Sequence, residues 1–319
     1  MTRLLLAPLA ALGIAAAPLA AQSPTEQAAQ LATPTGVLHG TLMLPATPGP
    51  HPVALVIAGS GPTDRNGNIV GMGPNESLRR VAEGLAAHGI ASLRYDKRTI
   101  GASAGVGPPG ATEADLRFDH FVDDAARWIV QLRADRRFSG VAVIGHSEGS
   151  LVGMLAARAA AADRFVSIAG MGRPMGRVLR DQLRPAVPPE LYGRAEAVLS
   201  SLEAGRTQSD FPAELASIFR GEIQPYMISV LRYDPAVEIA RLTVPTLIVQ
   251  GTTDLQVRVT EAEALAAARP EAKLVLIEGM NHVLKTVSGD LAQQWPSYSN
   301  PTLPLTPGLV DALAAFLAR

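Results

Sequence analysis

Residues 141–161 read VAVIGHSEGSLVGMLAARAAA. An apolar, β-branched run from Val141 to Ile144 meets Gly145-His146-Ser147-Glu148-Gly149 and passes directly into a helix-like stretch from Ser150 to Ala161. A strand can turn this sharply into a helix only if small residues flank the corner. Glycine at both outer positions removes the Cβ atoms that would otherwise clash. Such a corner lifts the central serine hydroxyl clear of the backbone at a helix N-terminus, where a nucleophile is accessible and negative charge is stabilised. Ser147 is therefore the candidate nucleophile.

A serine nucleophile requires a base and an acid to orient that base, each on a loop beyond a strand. Val244-Pro-Thr-Leu-Ile-Val-Gln250 has the pattern of a buried strand and ends in Gly251-Thr-Thr-Asp254. Lys273-Leu-Val-Leu-Ile-Glu278 is a second strand pattern, followed by Gly279-Met-Asn-His282. Asp254 and His282 follow Ser147 in the order nucleophile, acid, base, and both fall at strand C-terminal ends, where open α/β sheets place their chemistry. Asp96, after the strand pattern Ile90 to Tyr95, is the rival acid. An oxyanion formed at Ser147 also needs N–H donors. The backbone N–H of Glu148, the residue after the nucleophile, is expected as one. The strand Val53 to Ala58 runs into Gly59-Ser60-Gly61-Pro62, a Gly-rich turn that would supply the other from Ser60, with Gly61 as the alternative.

These features together resemble the α/β-hydrolase superfamily. Gly59-Ser-Gly-Pro-Thr-Asp-Arg-Asn-Gly-Asn68 is similar to the oxyanion loop of a bacterial carboxylesterase group, esterase D-like and dienelactone-hydrolase-like. Arg94-Tyr-Asp-Lys-Arg-Thr-Ile-Gly-Ala-Ser103 resembles the Asp-x-Arg-Gly-x-Gly-x-Ser loop of many such hydrolases, with Thr99 where glycine is usual. The resemblance covers about residues 36–319, least between 171 and 240. It implies a mostly parallel central sheet with helices on both faces and an active-site cap inserted between strands.

The rest of the chain agrees with that architecture. Strand patterns at 37–44, 53–58, 90–95, 141–144, 165–169, 244–250 and 273–278 alternate with helical patterns at 77–88, 121–134, 260–268 and 307–317. Strands separated by helices imply parallel pairing. Between 171 and 240 the alternation lapses into mostly helical sequence, expected as a helical cap, with the hydrolase core at 36–170 and 241–319. Tyr192, Phe211, Phe219, Tyr226 and Tyr233 fall in this insert and either shape a pocket or build the insert's own core. Arg173, Arg177, Arg180 and Arg184, spaced by four, three and four, share one helical face. Such a stripe is expected to be solvated or paired with carboxylates such as Asp181 and Glu190; the sharper reading is an anion site. Asp64 and Arg65, in the oxyanion loop, are expected to form an internal ion pair rather than to bind substrate, and His146 to pack beside the turn.

Composition narrows the class. Residues 1–21 have a basic start at Arg3, an apolar stretch from Leu4 to Leu19 and Ala20-Ala21 before Gln22. This is the pattern of a secretory signal peptide and predicts a periplasmic or secreted protein without stable membrane insertion after cleavage. Residues 22–35, rich in Gln, Ala, Thr and Pro, are expected as a flexible leader. The absence of cysteine rules out disulfides and thiolate metal sites, and a net charge of −1 gives no electrostatic case for nucleic acid. The histidines lack the paired spacing of a zinc site. No metal or organic cofactor is implied, and the oligomeric state is not legible. The expected activity is hydrolysis of small to medium acyl esters by a serine carboxylesterase. A thioesterase, acyltransferase or serine peptidase on the same fold, or a non-catalytic binding protein, are the alternatives.

Overall fold

The computed structural model describes residues 23–318. The expected signal peptide, residues 1–21, lies outside the described residues.

Eight strands form one sheet in the order β1-β2-β4-β3-β5-β6-β7-β8. They are β1 Thr25–Thr33, β2 Gly36–Leu44, β3 His51–Ile57, β4 Ala91–Tyr95, β5 Phe138–His146, β6 Arg164–Ile168, β7 Thr246–Gly251 and β8 Lys273–Ile277. The two pairings that involve β2 are antiparallel, and every pairing from β4 to β8 is parallel. The central strands read as continuous apolar runs because helices cover them on both faces. Alternation along β3 shows this directly: Val53, Leu55 and Ile57 enter one core while Ala54, Val56 and Ala58 enter the other.

Helices α1 Ser77–Ala87, α2 Phe118–Ala134 and α3 Glu148–Ala159 follow β3, β4 and β5. Between β6 and β7 come α4 Met175–Ala186, α5 Pro189–Glu203, α6 Ala216–Phe219, α7 Gln224–Leu231 and α8 Pro235–Ala240. The chain closes with α9 Val259–Ala268, α10 Leu291–Gln294 and α11 Leu309–Leu317. One face of the sheet packs on α2, α3, α8 and α9 through residues such as Trp128, Val152, Ile239 and Leu265. The other packs on α1 and α11 through Leu78, Val81, Leu85 and Leu313. The parallel strands and helices on both faces expected from the sequence are those found.

Two boundaries differ from the sequence reading. Within the expected flexible leader, 22–35, Thr25–Thr33 is instead a nine-residue strand paired along its length with β2. Apart from Leu31 it stays half-buried or exposed. Its polar sequence carries no burial signal, and what defines it is the row of hydrogen bonds offered by β2. The hairpin closes through Thr33, whose Oγ1 donates to Gly36 O over 2.8 Å, with Gly36 at φ 138°. The helical segment between β6 and β7 also divides. Helices α4, α5 and α7 and the residue Phe219 build a satellite core of their own. Ile239, from α8, is instead part of the main core, and α8 packs on α3 and α9. The body of the fold therefore reclaims the chain before residue 240.

Candidate active site

Ser147 caps α3 immediately after β5, with φ 55° and ψ −125°. A non-glycine residue in this region is strained, and the surroundings hold it there. A Cβ at position 145 would come within 2.2 Å of Gly149 O, and one at position 149 within 2.4 Å of Ile57 O. Both glycines of the motif are thus required by backbone packing. Ser147 N donates to Ile168 O over 2.9 Å, which ties the corner to β6.

The structure brings the three sequence-selected side chains together. His282 Nε2 lies 3.1 Å from Ser147 Oγ, and His282 Nδ1 lies 2.8 Å from Asp254 Oδ2. Asp254 follows β7 and is buried; its other oxygen accepts the N–H groups of Gln256 at 2.8 Å and Val257 at 2.9 Å. Burial alone would push its carboxyl pKa up, but His282 and these two N–H groups outweigh that and hold it below the ordinary value. Oδ2, the oxygen on His282, is also 3.3 Å from Gln250 Nε2, and that amide donates to Val257 O over 2.7 Å. Gln250 fixes the acid loop and had no role in the sequence reading. Its signal there was a lone amide at the end of an otherwise apolar strand.

His282 sits in a tight turn whose residue Leu284 has φ 65°. His146 Nε2 is 2.8 Å from His282 O, so His146 packs beside the corner and supports the loop of its neighbour. Burial, then the proximity of His282, lowers the His146 pKa to about 4, so its ring is neutral and Nε2–H donates.

The rival acid is committed elsewhere. Asp96 accepts Arg65 N at 2.9 Å, Arg65 Nη2 at 2.7 Å and Ala102 N at 2.9 Å. Arg65 pairs with Asp96 and not with Asp64, which corrects the expected partner. Asp64 instead accepts the N–H groups of Asn66 and Asn68 at 2.8 and 2.9 Å. Both interactions hold the 59–68 loop in shape. Thr99, where glycine is usual in the motif, takes the positive φ that glycine would, at 71°.

Gly59 lies against the nucleophile, since a Cβ there would be 3.1 Å from Ser147 Cβ. This close approach carries Ser60 and Gly61 to the rim of a cavity of about 310 Å³ that Ser147 and Glu148 also line. Among the described residues, neither the Ser60 N–H nor the Glu148 N–H has a protein acceptor. The far wall is apolar: Met175, Val178, Leu179, Ile218, Ile223 and Met227, all from the insert. A second compartment of about 270 Å³ shares Gly61, Glu148, Ser217, Ile223 and Tyr226 with the first and extends to Lys97, Glu113 and Arg220. Tyr226 stands between the two. Burial, and then the neighbouring Glu148 carboxylate, push its phenol pKa well above the ordinary value.

Of the five insert aromatics, Tyr226 reaches these cavities. Phe219 is fully buried in the satellite core, with Tyr192 and Phe211 packed against it. Tyr233 packs at a tilt against Phe118, 5.4 Å between ring centres. Arg173 precedes α4, so the helix carries Arg177, Arg180 and Arg184 of the stripe, and two of the four arginines are neutralised. Arg173 pairs with Glu261 and Asp181, and Arg180 with Glu196 and Glu203, so Asp181 is a partner as expected and Glu190 is not. Arg184 lies over the Tyr192 ring at 5.3 Å. Among the described residues there is no metal-holding cluster of His, Cys, Asp and Glu.

Residues 71–284 match the sequence model of the alpha/beta hydrolase family, and the chain belongs to that family. It is 31% identical over 257 residues to Esterase EstD of Thermotoga maritima, a match that takes in 79% of this chain. The chain spans 59% of that relative's length. Solved structures share the fold at low identity. The esterase domain of a Rhodothermus marinus protein superposes with TM-score 0.55 at 16% identity, covering 91% of this chain and 97% of that one. Est1E of Butyrivibrio proteoclasticus gives 0.54 at 18%, covering 80% and 90%. Dienelactone hydrolase of Anabaena variabilis gives 0.52 at 18%, covering 92% and 95%.

Proposed function

We propose that this chain is a serine carboxylesterase that cleaves small to medium acyl esters through Ser147, His282 and Asp254. The observation that carries the reading is the continuous relay from Ser147 Oγ through both nitrogens of His282 to Asp254, with steps of 3.1 and 2.8 Å. His282 takes the serine proton as Oγ attacks the ester carbonyl. Asp254 holds the ring with Nδ1–H toward itself and stabilises the imidazolium that forms. The N–H groups of Ser60 and Glu148 receive the oxyanion. The imidazolium returns its proton to the leaving alkoxide, and water repeats the cycle on the acyl-enzyme. The relative named esterase supports the ester as substrate, and the cavity volume supports a small to medium acyl group, being near the lower bound for ligand sites.

In this reading the helices between β6 and β7 act as a cap that selects substrate and sheds water. The protein acts outside the cytoplasm once residues 1–21 are removed. The test of activity is a panel of p-nitrophenyl esters. Ser147→Ala and His282→Ala should each lower turnover by about 10³-fold or more, with unchanged circular dichroism, because residues that act as a unit fail together. Retained turnover in Ser147→Ala would overturn the proposal. Export is tested by sequencing the N-terminus of protein recovered from the periplasm or medium, which should begin near Gln22; an intact Met1 on exported protein would refute it.

A further inference from the structure

A buried lysine stands behind the proposed oxyanion site. Lys97, two residues beyond β4, is 2% exposed, and its Nζ donates to the carbonyl oxygen of Gly59. That carbonyl and the Ser60 N–H belong to one peptide group. The same Nζ is 3.9 Å from a carboxylate oxygen of Glu148, itself 3% exposed, whose N–H is the second expected donor. A third side of the ammonium faces the Phe121 ring, 5.3 Å from its centre. One cation thus contacts the carbonyl of the Gly59–Ser60 peptide and the side chain of Glu148, the two places from which the oxyanion donors are expected.

The physics of a peptide group gives this contact a consequence. In a trans peptide the C=O and N–H dipoles are parallel and share one resonance system. A cation on the oxygen draws electron density toward it and leaves the N–H more positive. In a site that excludes water, such polarisation is weakly screened. The contact also fixes the direction of the N–H, since the peptide plane cannot rotate without breaking it. Asp96, the preceding residue, grips the same loop through Arg65, so adjacent residues after β4 clamp the loop at Gly59 and at Arg65.

Burying an ammonium is costly, and desolvation lowers the Lys97 pKa against the opposing pull of Glu148. A fold that needed only to fill this space could use methionine.

We propose that Lys97 is a positioning residue for the reaction at Ser147. Its ammonium group orients and polarises the Gly59–Ser60 peptide and holds Glu148, so that both oxyanion donors are preorganised by one buried charge. The inference rests on the esterase reading above.

The test compares wild type with Lys97→Met and Lys97→Gln, using p-nitrophenyl butyrate and a short-chain alkyl trifluoromethyl ketone. The ketone adds to a serine hydroxyl to form a tetrahedral oxyanion and so reports on the donors directly. Removing one oxyanion donor costs about 10²–10³ in kcat. We expect Lys97→Met to lose about 10²-fold in kcat with KM within about threefold, and to bind the ketone more weakly by a similar factor. Lys97→Gln, which keeps a neutral donor to the carbonyl, should lose about tenfold in both. Glutamine carries the test alone if the methionine variant does not fold. Three results would overturn the proposal: kcat and ketone affinity within about threefold of wild type, a rise in KM alone, or a loss of kcat with ketone affinity unchanged. Failure of the underlying reading looks different, because wild type would then not be inhibited by the ketone and Ser147→Ala would remain active.

Discussion

Asp254 and Asp96 both follow strands of the parallel sheet and both are buried, yet they have opposite commitments. Asp254 spends one oxygen on two N–H groups and the other on His282. Asp96 is saturated by Arg65 and Ala102. We therefore expect Asp254→Asn to lower kcat by about 10³–10⁴-fold, because an amide favours the wrong histidine tautomer. Asp96→Asn should act chiefly on stability, through the loss of a buried charge pair. Steady-state kinetics alongside urea denaturation would separate the two, and the reverse pattern would move the acid to Asp96. His146 makes a different prediction, of pH-dependent stability. Its folded pKa, about 4, lies below the ordinary 6.5, so the unfolded chain takes up a proton that the folded one refuses. The stabilising contribution is complete above pH 6.5 and is lost as pH falls toward 4. At about 1.4 kcal/mol per unit the loss is about 3 kcal/mol. Denaturation at pH 7.5, 6 and 5 should show it, and His146→Gln should be flatter over that range by up to one proton. An unchanged slope would mean that His146 protonates freely in the fold.

At the scale of elements, the insert between β6 and β7 supplies both structure and pocket, and its aromatics divide between these tasks. Phe219 belongs to the satellite core. Phe219→Ala should cost about 3–5 kcal/mol in stability as a cavity opens, with little change in the ratio of rates between acyl chain lengths. Tyr226 lines both compartments, so Tyr226→Ala should shift that ratio toward longer or bulkier acyl groups by merging the two. A matched set of p-nitrophenyl esters and a thermal melt would distinguish these outcomes; a changed chain-length profile in Phe219→Ala would place its ring at the substrate. The insert is tied to the body by Arg220 on Glu113 and by Arg232 and Tyr233 on Asp119. None of these pairs could be read from the sequence, because their members are 107 to 114 residues apart. The strand β1 escaped for a related reason. It has no apolar alternation, and only its partner β2 makes it a strand.

For the whole molecule, the cavity beside Ser147 limits what the proposed esterase can gain from a long acyl chain. Each buried methylene contributes about 0.8 kcal/mol, so kcat/KM should climb with chain length until the cavity of about 310 Å³ is filled and then fall. Esters of roughly two to six acyl carbons should be best, with a steep decline by about twelve. The insert carries nine acidic and eight basic residues between 171 and 240, which leaves little apolar area beyond its own core and the wall at Ser147. A preference for emulsified long-chain triglycerides would refute the argument from cavity size while leaving the serine chemistry intact.

The sequence by itself determined the alternation of strands and helices, the corner at Ser147 and the loops bearing Asp254 and His282. All of these depend on local constraints: apolar runs long enough to cross a sheet, and glycines where a side chain would strike the backbone. Thr99, standing where the motif has glycine, left the geometry of its loop open in the sequence, and the fold holds it at φ 71°. Tertiary structure decided which charged groups meet. Arg65 took Asp96 over its sequence neighbour Asp64, the arginine stripe found Glu196, Glu203 and Glu261, and Lys97 came to rest on the carbonyl of Gly59. A charge has no periodicity that names its partner. Its pairing is chosen by the desolvation of groups that the fold has already brought within reach, and that choice exists only once the sheet has closed around them.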